Sequence, residues 1–315
     1  MTATAALGFA FALAALAMFS INIVLTKLAM ARLALGVGFL IAVIVNVLFG
    51  ALVVFVQLVL RDEPLQFEAY AFGMFLLSGA FTTWLGRWFF FEAVARLGAA
   101  RASTFQVSSP LFPAIIAWIA LGERISVPVA LAMMVVVYGL YLVGVKPGAW
   151  RAGARAVPDA SRSRTARLRV ALGSGAVLGA GSSLAYAVGN VLRGAAIHRW
   201  NEPALGALVG AIMGVALHMT LSRETRDLRR ALRAADRVGI LLYASCGVLT
   251  ISAQMLTIAA MSSIPVSIAA LITLCSPLIV FPLSYVLFRA DERITPRLLA
   301  GSALALAGIA VIVLR

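Results

Sequence analysis

Arg87 lies inside an apolar stretch, with Trp84 three residues before it and Trp88 directly after it. On a helix, positions 84, 87, 88 and 91 share a face, so Trp84, Arg87, Trp88 and Phe91 would stand together. That face suits a solute with an acidic group and an apolar or aromatic body. The guanidinium offers a charge-assisted bond and the rings offer stacking. The structural alternative has Arg87 bonding to backbone carbonyls or to Glu92, or snorkelling, while the aromatics pack or meet lipid. Either way the charge is costly, roughly 2.5–3.5 kcal/mol at the centre of an inserted helix.

Asn22, Gln106, Asn190, Gln254 and Thr273 are uncharged polar residues within apolar runs and are candidates to line a central cavity. The competing role for each is an interhelical hydrogen bond, worth about 0.6 kcal/mol on average. Pro110 and Pro113 in one run, and Pro277 and Pro282 in another, interrupt backbone hydrogen bonding and are candidate kinks or hinges. Glu92 is the one acid that falls within these apolar runs, and so the one carboxyl there that could take up and release a proton. An ion pair with Arg96, four residues on, is its other reading. His198 and His218 lie at run ends without carboxylates, and Cys246 and Cys275 lack metal-type spacing. No phosphate-cradling loop or nucleophile motif appears, so neither an enzyme nor a metal or cofactor is expected.

The elements that must position these residues are set by composition. The chain has 315 residues, 63% of them hydrophobic and 12% charged, with a mean hydropathy of +1.02. Soluble domains carry about twice that charge. Apolar runs of helix-spanning length recur from end to end, and each must satisfy its own backbone inside a bilayer. Their continuity excludes the alternating pattern of a barrel. Ten spans are predicted near 7–30, 34–60, 70–95, 99–121, 127–145, 171–197, 203–221, 238–261, 264–288 and 297–314. The segment 146–170, polar, turn-rich and basic, reads as a linker between residues 1–145 and 171–315.

Those two segments repeat one another. Ser109-Pro110-Leu111 recurs as Ser276-Pro277-Leu278, an offset of 167 residues. The same offset pairs Val24-Leu25 with Val191-Leu192, Ala93 with Ala260, Ala102 with Ala269, Phe19 with Tyr186, and Arg87 with Gln254. Glu123-Arg124-Ile125-Ser126 and Gly139 recur as Glu292-Arg293-Ile294-Thr295 and Gly308, two residues later in register. Five spans per half is an odd number, so the second half must cross the membrane inverted relative to the first. The predicted fold class is all-α integral membrane, ten transmembrane helices as two inverted five-helix repeats, an architecture that serves alternating access around a midplane site.

The duplicated Ser-Pro-Leu, the Gly-Glu-Arg-Ile-Ser at 122–126 with Asp-Glu-Arg-Ile-Thr at 291–295, the Asn22 and Lys27 pair, and Tyr186-Ala-Val-Gly-Asn-Val-Leu-Arg193 carry a resemblance. In these the chain resembles the drug/metabolite transporter superfamily and, within it, the EamA-type ten-helix exporters. Phe19-Ser20 stands where the family often has Trp-Gly. The resemblance implies a secondary transporter that exports amino acids or related small metabolites, with a lipid-linked substrate flippase as the alternative.

The net charge of +14 sits in loops, so lipid rather than nucleic acid is the expected partner. Ser222 to Arg237 carries six arginines, with Leu228 and Leu232 one turn apart, as a surface helix or a solvated loop. Lys and Arg concentrate in the odd-numbered loops, whereas Arg61, Arg124, Arg193, Arg199 and Arg315 account for the even loops and termini. The positive-inside rule then places the odd loops in the cytoplasm, opposite to the orientation the resemblance implies. A multi-pass protein of the cell membrane, as in a bacterial inner membrane, is expected. Oligomeric state, substrate and coupling are left open by the sequence.

Overall fold

The structure is a computed structural model that describes residues 3–61, 64–109, 111–112, 127–144, 175–221, 236–288 and 295–313. Pro110, Pro113, the linker, the basic stretch before Asp236 and most of the two Glu-Arg-Ile motifs lie outside the described residues. All regular structure among the described residues is helical. In the first half, α1 is Ala3–Met30 and α2 is Leu35–Val59. The third span is α3 (Ala69–Gly79), a π-helical segment Ala80–Gly86, and α4 (Arg87–Leu97). The fourth begins with α5 (Ala99–Gln106), and α6 (Val127–Gly144) is the fifth. In the second half, α7 is Gly175–Ile197, α8 Pro203–Leu221 and α9 Arg237–Ser263. The ninth span is α10 (Val266–Leu274) with α11 (Pro277–Leu287), and α12 (Pro296–Val313) is the tenth. The protein is thus an all-α integral membrane fold of ten helices in two inverted five-helix repeats.

Local chemistry repeats as well. Each half starts its third span with an acidic cap: Glu68 accepts from the Ala71 amide, and Asp236 accepts from the Val238 amide at 3.2 Å. The next turn is made differently. Gly98 (φ 89°) joins α4 to α5 in a conformation open to glycine. At the same repeat position Pro265 starts the ninth span, and Ile264 before it is extended, as a residue preceding proline prefers.

Packing runs mainly between halves. α1 packs along α9, and as the twofold counterpart α7 packs along α3, the π segment and α4. α2 lies against α8 and α9, while α8 lies against α2 and α3. Lipid gives no hydrophobic drive between helices, so small residues that let backbones approach do the work. Gly206, Gly210 and Gly214 stand opposite Phe75, Gly79 and Thr83, one turn at a time. A Cβ at Gly206 would lie 2.5 Å from the Phe75 ring.

The clearest record of the inversion is the α6–α12 contact. A Cβ at Gly139 would sit 2.5 Å from the Gly301 carbonyl oxygen and 2.9 Å from the Ala305 nitrogen. A Cβ at its repeat partner Gly308 would meet the Ala132 carbonyl oxygen at 2.8 Å and Val136. Ala132 and Val136 are the repeat partners of Gly301 and Ala305. Positions rise on one helix as they fall on the other, so the contact is antiparallel and reciprocal. A twofold axis across the helices generates that pattern; an axis along them does not.

Candidate functional site

The fourth and ninth spans are both broken at the Ser-Pro step. α5 ends at Gln106, and the next amides bond three residues back, Ser108 to Phe105 and Ser109 to Gln106, each at 3.1 Å. In the ninth span, Cys275 bonds back to Ile272 at 3.1 Å before Pro277 restarts the helix. Pro277 has no N–H to give to the carbonyl of Thr273, four residues back. Pro282 lies inside α11 on an exposed face. The two breaks fall at the same repeat depth and turn short polar side chains inward.

Between them lies a cavity of about 60 Å³. Three pairs of repeat partners share its wall: Phe19 with Tyr186, Gln106 with Thr273, and Ser109 with Ser276. The cavity therefore sits on the internal twofold axis. Asn190, Arg193, Thr257 and Leu274 complete the wall from the second half alone. Its space is enough for a few waters.

Arg193 is the charged group of this wall and is 4% exposed. Its Nε donates to Ser78 Oγ at 3.0 Å, and one terminal nitrogen donates to Thr82 Oγ1 and Gln254 Oε1, both at 2.8 Å. All three acceptors are neutral. Among the described residues no aspartate or glutamate is buried. Arg193 thus belongs to the interior of α7 and not to a loop, which corrects its place in the charge tally. Its removal sharpens the bias toward the odd loops.

Arg87 is buried in a separate cluster and does not line the cavity. It donates to Thr250 Oγ1 at 2.9 Å. In the amide orientation that satisfies its neighbours, Asn46 donates to the carbonyls of Ala42 and Gly247, and its oxygen accepts from Arg87 at 2.6 Å. The guanidinium lies 5.4 Å from the Phe91 ring centre and 6.0 Å from that of Phe39. Trp88 packs edge-on against Phe39 at 5.4 Å, and Trp84 joins the same cluster. Arg87 thereby ties the second, third and eighth spans together.

The other predicted residues divide. Gln106, Asn190 and Thr273 lie on the wall, and Gln254 stands one bond behind it, through Arg193. Asn22 is buried, and its backbone carbonyl faces Cys246 on α9. Glu92 pairs with Arg96 at 2.9 Å, its partner four residues on. Arg193, Tyr186, Phe19, Ser109, Ser276, Thr257 and Leu274 are wall residues absent from the sequence-based set. Two signals pointed to them. The 167 offset already joined Phe19 to Tyr186 and Ser109 to Ser276, and Tyr186, Asn190 and Arg193 form a stripe at i, i+4 and i+7 on one helix.

Comparison with known proteins agrees with this architecture. The pattern of the EamA-like transporter family matches residues 6–145 and again residues 173–314. No curated protein matches the chain. A solved crystal structure aligns over 95% of this chain and 97% of its own, with 17% identity and a TM-score of 0.53, a likeness of fold alone. With both repeats matched and the cavity set between them, the chain belongs to the EamA-like transporter family, and it is a multi-pass membrane transporter of the drug/metabolite transporter superfamily.

Proposed function

We propose that the protein exports amino acids or related small metabolites across the cell membrane, in a bacterium the inner membrane, by alternating access. The observation that carries this reading is the wall shared by repeat partners at two matched helix breaks. An inverted pair of bundles has two equivalent arrangements, and exchange between them would open a site on the axis first to one side and then to the other. A polar wall of serine, threonine, asparagine, glutamine and arginine favours a small hydrophilic solute over a lipid-linked one. The basic odd loops would rest on an anionic cytoplasmic leaflet.

The test is a screen in cells that express the protein, challenged with toxic analogues across the amino acids and with related acids. Expression is expected to raise tolerance to at least one compound and to lower its internal level. Unchanged internal levels for every compound would count against export. Movement of a lipid-linked substrate in their place would select the flippase reading.

A further inference from the structure

The neutral surroundings of Arg193 say more about the cargo than the fold does. Its guanidinium is gripped on two edges by Ser78, Thr82 and Gln254, while Nη1 makes no hydrogen bond to any described residue. The side chain is buried and forms part of the cavity wall. A fixed, partly satisfied guanidinium in a membrane interior, with no buried carboxylate among the described residues to neutralise it, calls for an anion from outside the chain.

We infer that Arg193 is the recognition residue for a carboxylate on the transported solute, an assignment that rests on the transporter reading above and narrows its substrate to small carboxylic acids, amino acids included. Ser78, Thr82 and Gln254 act as positioning residues: they fix the plane of the guanidinium on the cavity wall and leave Nη1 for the solute. Asn190, one turn away on α7, and Ser109 and Ser276 at the helix breaks offer neutral donors and acceptors to the rest of the solute. Organic cations are disfavoured, because Arg193 places a buried positive charge on the wall.

The experiment uses the purified full chain in lipid nanodiscs and in proteoliposomes. The probes are alanine, leucine and phenylalanine, their 2-oxo acids, their carboxamides, and tetraethylammonium. Thermal stabilisation reads binding, and counterflow reads transport. At least one acid is expected to stabilise the protein, with its carboxamide needing roughly ten-fold higher concentration or more, as loss of a charge-assisted bond implies. Arg193→Gln should erase the preference for acid over amide, Arg193→Lys should keep part of it, and Arg199→Gln, exposed over Tyr70, should keep all of it. If Arg193→Gln does not accumulate, Ser78→Ala and Thr82→Val loosen the same guanidinium and should each reduce the preference. An amide or cation that binds as well as the acid, an undiminished preference in Arg193→Gln or in the paired positioning variants, or no acid binding at all would overturn the assignment. The two readings fail separately. Acid binding without counterflow leaves the anion site and removes transport. Counterflow without acid preference does the reverse.

Discussion

Gly139→Ala adds one methyl group at the tightest point of the α6–α12 contact. The new Cβ would lie 2.5 Å from the Gly301 carbonyl oxygen and 2.9 Å from the Ala305 nitrogen. Both are backbone atoms, so no side chain can rotate out of the way, and the helices must separate by close to an ångström. Forcing an extra carbon into a packed contact costs about 1–3 kcal/mol. Replacing a helical glycine returns about 0.8–1 kcal/mol through intrinsic propensity. The expected net loss therefore runs up to about 2 kcal/mol, with about 1 kcal/mol at mid-range. Gly308→Ala meets a movable Val136 methyl as well as the Ala132 carbonyl oxygen, and should lose somewhat less. The double variant should lose less than both losses combined, because helices parted by one methyl leave room for the other. Reversible unfolding in mixed detergent, followed by tryptophan fluorescence, reads all three. Val137→Ala, on an exposed face of the same helix, is the control and should stay within about 0.5 kcal/mol. A Gly139→Ala protein as stable as the parent, or strict additivity in the double variant, would refute the reciprocal contact.

Three further outcomes are expected. Arg87→Gln should lower unfolding stability by about 1–3 kcal/mol through loss of the bonds to Thr250 and Asn46, while changing solute affinity less than Arg193→Gln does; equal effects on affinity would bring Arg87 into the site. Glu92→Gln should leave the pH dependence of flux in proteoliposomes unchanged, since Glu92 is paired with Arg96 and is not on the cavity wall; loss of proton-driven flux would assign it the coupling role. With Cys246 and Cys275 replaced, an impermeant thiol reagent applied to intact cells should label a cysteine at Gln66 and not one at Arg155, as the charge bias requires; the opposite labelling would show that the termini face the cytoplasm.

The repeat was legible because a constant offset survives where individual motifs are weak, and it carried Ser109 with Ser276 and Gln106 with Thr273 to the shared wall. The surroundings of Arg87 and Arg193 were harder to read from the sequence, for a physical reason. In a bilayer the packed and lipid-facing sides of a helix are both apolar, so periodicity does not say which face turns inward. The π-helical segment Ala80–Gly86 adds to this, since each extra residue in a turn swings the downstream side chains by about 100° around the helix axis. α9 has no such segment, and the repeat partners Arg87 and Gln254 face different neighbours: Gln254 reaches Arg193, and Arg87 reaches Thr250. The polar stripe of α7 was readable, but only the distances to Ser78 and Thr82 reveal which cation it holds in place.

The packing of helices mainly across the repeat boundary has a consequence for biogenesis. α1 finds its long partner in α9, α6 in α12, and α3 in α7 and α8. When the ribosome has released only the first five spans, α1, α2, α3 and α6 have reached the bilayer without the helices they will finally lie against. The glycine surfaces that later meet backbone, Gly139 among them, face lipid during that interval. A nascent chain halted in the linker would therefore be inserted yet unassembled, a ready substrate for membrane quality-control proteases. By the same logic, two half-length chains synthesised separately would have every reason to find one another, since neither can complete its own contacts.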